Sequence, residues 1–364
     1  MDLKFVLSAY SFGIESVKVE AFGSGLINHT WRIATPDEVY ILQRINDDIF
    51  KNPEDIASNI SLIVHHLQQF YPEYLFVSPT KTRVGEEMVF VENEGYFRMF
   101  PFVKGSHSKD VVETPKQAFE AAAQFGKFTK LLRGVNVDDL KTTIPQFHDL
   151  SLRYQQFRDA LENGNSERIL EATDLIDVIK QNVDIVEVFK GIKTNPDFKL
   201  RVTHHDTKIS NVLFDAHDKG LCVIDLDTVM SGYFISDVGD MMRTYLSPVS
   251  EEETDFSKIV IRDDFYQAIV QGYDSEMKAV LTESERQHFF YAGKFMIYMQ
   301  ALRFLTDYLN NDVYYGKKYP NHNFNRAKNQ LVLLEKLLEK QTLLTKSTDC
   351  VIITASLSSD KNIL

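Results

Sequence analysis

Residues 202–227, VTHHDTKISNVLFDAHDKGLCVIDLD, constrain what this chain can fold into more than any other stretch. Two apolar, β-branched runs, 211–214 and 221–226, flank a polar segment at 215–220. That order predicts a β-hairpin. His204, Asp206, Lys208 and Asn211 crowd the start of its first strand, and Asp225 and Asp227 close its second. The hairpin therefore draws three carboxylates and a carboxamide into one small volume. Two like charges about 4 Å apart repel by roughly 4 kcal/mol at the effective dielectric of a protein surface. A bound Mg²⁺ reverses that penalty, because it takes a few hard oxygen ligands together with substrate phosphates. The spacing Asp206-x4-Asn211, followed by an Asp on a later strand, is the layout of a phosphoryl-transfer site. There the first acid accepts a hydroxyl proton while the Asn and the second acid hold metal. Asp and Asn also serve plain turns; their concentration on one hairpin favours the chemical reading.

The chain has 364 residues, enough for two domains or for one domain of two lobes. Its formal charge of −12 argues against nucleic acid as a partner, which would need clustered Lys and Arg. Nucleotides need only a few local donors, so charge leaves them open. No apolar run approaches a membrane span. The opening MDLKFVLSAYSFGIE carries one Lys and too short an apolar core for a secretory signal. A cytoplasmic protein away from membranes is the expectation. Cys222 and Cys350 cannot build a disulfide framework or a zinc site, and Cys222 reads as core packing. Nothing in the pattern indicates an oligomeric state.

In chain order, residues 1–16 read as a short amphipathic helix with Phe5, Leu7, Tyr10 and Phe12 among its apolar positions. Strands follow at 17–22, 29–34 and 39–45. Gly23-Ser24-Gly25 joins the first two, either as a plain hairpin turn or as a turn whose amides approach phosphate oxygens. The third strand, YILQRIN, lacks the Lys that a kinase-like fold places there, and alternation with Ile41 and Ile45 puts Gln43 on the inward face. Residues 52–71 form a helix with Asn52 as N-cap and Pro53 at its first position. Ser61 stands about where a kinase helix carries the Glu that pairs with the strand Lys. Strands at 87–92 and 96–101 end in FRMFPFVKG, a candidate hinge for an adenine edge or simply the end of a strand. Helices are expected at 114–132, 147–161, 168–191, 263–274, 282–311 and 324–342. A β-rich first hundred residues before a helical remainder is an α+β, two-lobed order. The expected divisions are 1–103 with a hinge near 98–105, 104–346, and a tail at 347–364.

HHDTKISNVLFD and VIDLDTVMSGYFISDVGD resemble the aminoglycoside phosphotransferase and choline kinase superfamily, whose members carry His-Gly-Asp…Asn and Ile-Asp-Trp at similar spacing. GSGLINHTW, YILQRIN, VTHHDTK, VIDLDTVM, RFLTDYL and KKYPNHN are similar to segments of bacterial N-acetylhexosamine 1-kinases, and together they span residues 17–340. The resemblance implies a protein-kinase-like fold and ATP between the lobes, with GTP left open. It also implies Mg²⁺ and phosphorylation of the anomeric hydroxyl of GlcNAc or GalNAc in amino-sugar salvage. By the same resemblance Asp206 is the base that meets the sugar, and Asn211 and Asp225 are metal ligands. Asp227 is the acid that follows the metal Asp, counted with the metal. Gly23, Ser24 and Gly25 cover the phosphates, residues 98–103 form the hinge, and Gln43, Met99, Phe100 and Phe102 surround the nucleotide. Arg303 and Tyr314 match positions that line the sugar pocket.

Several of these positions also have plainer readings. Lys208 either steadies the transferring group or pairs with Asp206 or Asp225. Arg303 lies in an apolar helix and needs an acceptor, which Asp307 at i+4 or a sugar would provide. Tyr314 either packs or meets the sugar. Asp237 reads as a support of the catalytic loop. Two departures stand out: His205 replaces the small residue of His-Gly-Asp, and Leu26 follows the glycine turn where the hexosamine kinases have a polar residue. Two other readings stay open. One is a kinase of the same fold acting on an aminoglycoside, choline or homoserine-type alcohol; the other is a nucleotide-binding protein without turnover.

Overall fold

The computed structural model describes residues 3–10, 17–23 and 28–348; Phe12, Ser24, Gly25, Leu26 and all of the expected tail from 349 on, including Cys350, lie outside the described residues. The N-terminal part comprises α1 (Leu3–Ser8), β1 (Lys18–Ala21), β2 (His29–Ala34), β3 (Val39–Arg44), α2 (Pro53–Phe70), β4 (Val89–Val91) and β5 (Gly95–Pro101). Its strands make a five-stranded antiparallel sheet in the order β1-β2-β3-β5-β4. Alternation sorts β5 by face. Phe97 and Met99 join Val6, Leu7, Ile33 and Leu42 in a small core, while Arg98 and Phe100 take the other side. Gln43 stands opposite Arg98 in the β3–β5 register.

The remainder is mainly helical. It runs through α3 (Pro115–Leu131), α4 (Leu150–Asn163), α5 (Ser166–Glu171), α6 (Thr173–Gln181) and α7 (Asp184–Thr194). The short strands β6 (Arg201–Thr203), β7 (Val212–Phe214), β8 (Gly220–Val223) and β9 (Met230–Gly232) follow. The last helices are α8 (Phe234–Tyr245), α9 (Asp263–Met277), α10 (Glu283–Arg286), α11 (Phe289–Leu309) and α12 (His322–Glu339). α3 starts with a capping box between Thr114 and Gln117. Its buried Ala118, Ala121 and Ala122 admit α9 at close range; a Cβ on Gly272 would stand 2.3 Å from the Phe119 carbonyl. α11 is apolar around nearly its whole circumference and so lies inside the larger core, as such helices must. No helix among the described residues is long and apolar enough to cross a membrane.

Several sequence expectations need correction. The 168–191 segment is not one helix but α5, α6 and α7. The breaks at Ala172 and Asn182 coincide with side chains that take helix carbonyls, Thr173 from Leu170 and Asn182 from Val178. The 282–311 segment divides between α10 and α11. Asn52 holds the cap position of α2 but makes no side-chain cap bond. The apolar face of α2 (Ile56, Ile60, Ile63 and Leu67) packs into the larger core and not under the sheet. The second hairpin strand stops at Val223, because Asp225 turns left-handed (φ +63°) and leads into a 3₁₀ turn at Leu226–Thr228.

β6 leads directly into the 204–211 stretch, and a buried ion pair fixes its approach. Glu285 is fully buried and accepts both Arg201 guanidinium nitrogens at 2.5 and 2.8 Å, together with the amides of Lys199 and Thr282. Removing one partner leaves the other charge buried and unpaired, which costs about 3–5 kcal/mol. Arg201→Met is expected to lower the unfolding free energy by that amount in urea denaturation at neutral pH.

Candidate active site

The loop at 204–211, between β6 and β7, pairs with a neighbouring strand only at its end, where the Asn211 carbonyl accepts the Ile224 amide, and α8 supplies partners for its start. Asp237 accepts the amides of His204 (3.2 Å) and His205 (2.8 Å), and Asp240 accepts that of Thr207 (2.8 Å). The Thr207 hydroxyl donates to the Asp237 carbonyl, and Tyr245 donates its phenol to the Thr207 carbonyl at 2.6 Å. His204 is fully buried between the Ile224 carbonyl at Nε2 and the Asp206 amide at Nδ1. Those partners suit a neutral ring with its proton on Nε2, and burial lowers its pKa.

His205 explains why the superfamily motif favours a small residue here. Its φ is +66°, a left-handed conformation natural to glycine. The ring fits because Gly232 has no side chain; a Cβ there would stand 2.4 Å from His205 Cε1. His205 Nδ1 lies 3.3 Å from Nδ1 of His148, and Phe147 stacks on His148.

The expected site residues Asp206, Lys208, Asn211, Asp225 and Asp227 come together. Asp206 receives the Asn211 amide nitrogen at 3.0 Å and Lys208 Nζ at 3.2 Å, both on Oδ2. Burial opposes the Lys208 charge, but Asp206, Asp240 and Asp225 outweigh it and hold its pKa above the usual value. Asn211 also donates to the Asp206 carbonyl, so its amide nitrogen is committed and its oxygen remains as a ligand atom. The Asp225 side chain is open to solvent, yet the surrounding protein raises its carboxyl pKa, with Asp227 and Asp206 adding to the rise and Arg98 and Lys208 opposing it. An exposed acid crowded by two other carboxylates, beside an amide oxygen, is a donor set that fits a hard divalent cation completed by phosphate oxygens.

Asp227 is committed elsewhere. Its Oδ1 lies 2.5 Å from Arg98 Nη2, and its Oδ2 accepts Asn28 Nδ2 at 2.7 Å. The acid expected near metal thus bonds two side chains from the N-terminal part. Arg98, expected in the hinge, is a buried residue within β5, 2% exposed, and its Nε and Nη2 donate to Gln43 Oε1. Gln43 lies on the Arg98 side of the sheet, as an acceptor for Arg98. Met99 does not: its side chain is in the small core and its carbonyl accepts the Thr80 amide. Phe100 lies 5.0 Å from the Arg98 guanidinium, and Phe102 meets Phe22 edge-on at 6.4 Å. Gly23 has a φ of +79°. Ser61 is exposed and donates to Glu87, so it does not take the place of the kinase helix Glu. The buried polar residue of α2 is Asn59, bonded to the Lys141 main chain and to the Val229 carbonyl.

On the α11 side, Arg303 is not neutralised by Asp307. Asp307 accepts the backbone amides of Tyr314 (2.7 Å) and Tyr315 (2.9 Å) and the Asn323 side chain. Arg303 donates only to Gln300, with Phe147, Tyr315 and Tyr314 within 5.4–6.0 Å of its guanidinium. It borders a cavity of about 390 Å³ shared with Arg153, Asp159, Asn310, Tyr314 and Tyr315. Arg153 donates to Gln156 and to the carbonyls of Gln146 and Phe147. Among the described residues neither arginine has a carboxylate at ion-pair distance. Arg153, His148, Asn28 and Asp240 escaped sequence reasoning. For Arg98 the available signal was a lone cation inside the apolar run FRMF.

Burial lowers the His205 pKa to about 4, below its ordinary value of 6.5. A neutral buried ring stabilises the fold fully above about pH 6.5, and that contribution drains away as pH falls toward about 4. His205→Asn tolerates the left-handed backbone and removes the ring. Between pH 6.5 and 4 the melting temperature of the wild type is expected to fall further than that of the variant. Parallel curves would contradict the assignment.

A model described as the phosphotransferase enzyme family (APH) matches residues 18–280, which include the sheet, the 204–211 loop and the acidic hairpin. The chain is similar in fold to an aminoglycoside phosphotransferase from Alicyclobacillus acidocaldarius, with TM-score 0.64 and 13% identity over 96% of each chain. It is likewise similar to the amicoumacin kinase hAmiN in complex with AMP-PNP, Ca²⁺ and Ami, with TM-score 0.61 and 16% identity over 92% of each. A microcompartment-associated aminopropanol kinase gives TM-score 0.62 and 15% identity over 93% of this chain and 96% of that one. With its five-stranded N-terminal sheet, its helical C-terminal part and a matched segment covering most of its length, the chain belongs to the phosphotransferase enzyme family and has a protein-kinase-like fold.

Proposed function

We propose that this protein transfers the γ-phosphoryl group of ATP to the anomeric hydroxyl of an N-acetylhexosamine, GlcNAc or GalNAc. The observation that carries the acceptor class is the pair Arg153 and Arg303. A cationic acceptor such as choline or an aminoglycoside calls for carboxylates or an aromatic cage free of competing cations. Here Arg153 and Arg303, neither ion-paired, share the cavity with Asp159 and Asp307, so its charge is balanced, and Asp307 is already taken by the amides of Tyr314 and Tyr315; Phe147, beside Arg303, stacks on the His148 that meets His205. Guanidinium donors together with the faces of Tyr314 and Tyr315 suit the hydroxyl, amide and ring surfaces of a neutral sugar.

In this reading Asp206 orients the sugar hydroxyl and takes its proton as the oxygen attacks the γ-phosphorus; the bond to the β-phosphate oxygen breaks and ADP leaves. Lys208, held beside Asp206, offsets charge that gathers on the transferring group. Asn211 and Asp225 would hold Mg²⁺, which neutralises the β- and γ-phosphates when bound. The presence of AMP-PNP and Ca²⁺ in hAmiN supports a nucleotide and a divalent ion at this kind of site. The intact Asp206–Asn211–Asp225 set argues against a protein without turnover.

Asp206→Asn is expected to keep Mg·ATP binding while cutting sugar-dependent ADP release by about 10²–10⁴-fold. Activity within about tenfold of the wild type would sink the assignment. Arg303→Ala removes one charged hydrogen bond, about 1.5–3 kcal/mol. It should raise KM for the sugar about 10–100-fold with KM for ATP unchanged. A panel of GlcNAc, GalNAc, choline, homoserine and an aminoglycoside tests the class directly; preference for a cationic alcohol would overturn it.

A further inference from the structure

We infer that Arg98, carried on β5, is the phosphate-gripping cation of this enzyme, in the place where β3 has no lysine. The inference rests on the reading that nucleotide binds in this cleft. β3 supplies only Gln43 on the relevant face, and Gln43 pairs in register with Arg98 across the two strands. Residues directly opposite on paired strands project to the same side. The neighbouring strand can therefore place a cation where β3 carries none. The guanidinium is held on two edges: Nε and Nη2 on Gln43 Oε1, and Nη2 on Asp227 Oδ1. Phe100, at 5.0 Å, borders the same group.

Nη1 is buried and has no hydrogen-bond acceptor among the described residues. Nη2 meets Asp227 Oδ1 as an ion pair only, and Oδ1, like Nη1, is buried without a hydrogen-bond partner among the described residues, so polar capacity is left over on both sides of the pair. Leaving a buried guanidinium nitrogen without an acceptor is costly, and a phosphate oxygen in the cleft would satisfy it. The planar fork of Arg suits that role better than a point charge does.

The same geometry accounts for the missing helix Glu. A strand Lys needs a carboxylate from α2 to aim it. Arg98 takes its counter-charge from Asp227 of the hairpin instead, so α2 can present the neutral Asn59 and Ser61 without leaving a buried charge unpaired.

Calorimetry with ADP and with adenosine tests this on the wild type, Arg98→Gln and Arg98→Lys. Gln retains a donor for Asp227, as a brace requires, whereas Lys retains the charge. Arg98→Gln is expected to weaken ADP binding by at least about 30-fold while adenosine stays within about twofold; Arg98→Lys should hold ADP within about tenfold. The inference fails if Arg98→Gln binds ADP within about threefold of the wild type. It also fails if adenosine and ADP weaken in the same proportion, or if Arg98→Lys is as poor as Arg98→Gln. Should Arg98→Gln lack a cooperative melt, folded Arg98→Lys decides: a loss confined to ADP supports the inference, and equal loss of both ligands overturns it. A wild type that binds neither ligand would instead overturn the nucleotide reading of the cleft.

Discussion

Two carboxylates on α8 hold the 204–211 loop in place. Residues 204–211 run between short strands and have few ladder bonds of their own. Buried amides without acceptors would be costly. Asp237 and Asp240 take three of them, and Tyr245 returns a donor to the Thr207 carbonyl. The conformation of the loop, including the left-handed His205, is therefore dictated by a helix formed some thirty residues later. Asp206 inherits its position from that arrangement.

From Asp240 the polar contacts continue toward the acceptor side. Arg243 bonds Asp240 and Glu251, and Glu251 meets Arg326 of α12. Arg326 lies 3.7 Å over the Phe304 ring and 5.3 Å from that of Tyr315, which faces the cavity. Each charge in this chain has an opposite charge beside it, which is how ions survive burial. The loop and the aromatic wall of the cavity are consequently parts of one bonded framework.

The two-part order, the hairpin, and the gathering of Asp206, Asn211, Asp225 and Asp227 were legible from residue patterns alone, because local alternation and turn chemistry decide them. The family resemblance added the expected chemistry. Hidden from the sequence were partnerships across long separations. Asp227 lies 129 positions from Arg98, and no periodicity in either segment announces their pairing. Asp307 was readable as the i+4 partner of Arg303, yet its oxygens go to the amides of Tyr314 and Tyr315. A one-dimensional pattern lists candidate acceptors without ranking them. The split of 168–191 into three helices was missed for a related reason: Asn182 has a middling helix propensity, but its side chain competes for the Val178 carbonyl.

The use of Asp307 also separates the shape of the cavity rim from its chemistry. The turn carrying Tyr314 is fastened through its main chain, while the Tyr314 ring itself is 70% exposed. Replacing that ring leaves the fastening intact. The cavity wall can therefore change, one exposed side chain at a time, while the backbone that frames it and the 204–211 loop stay as they are.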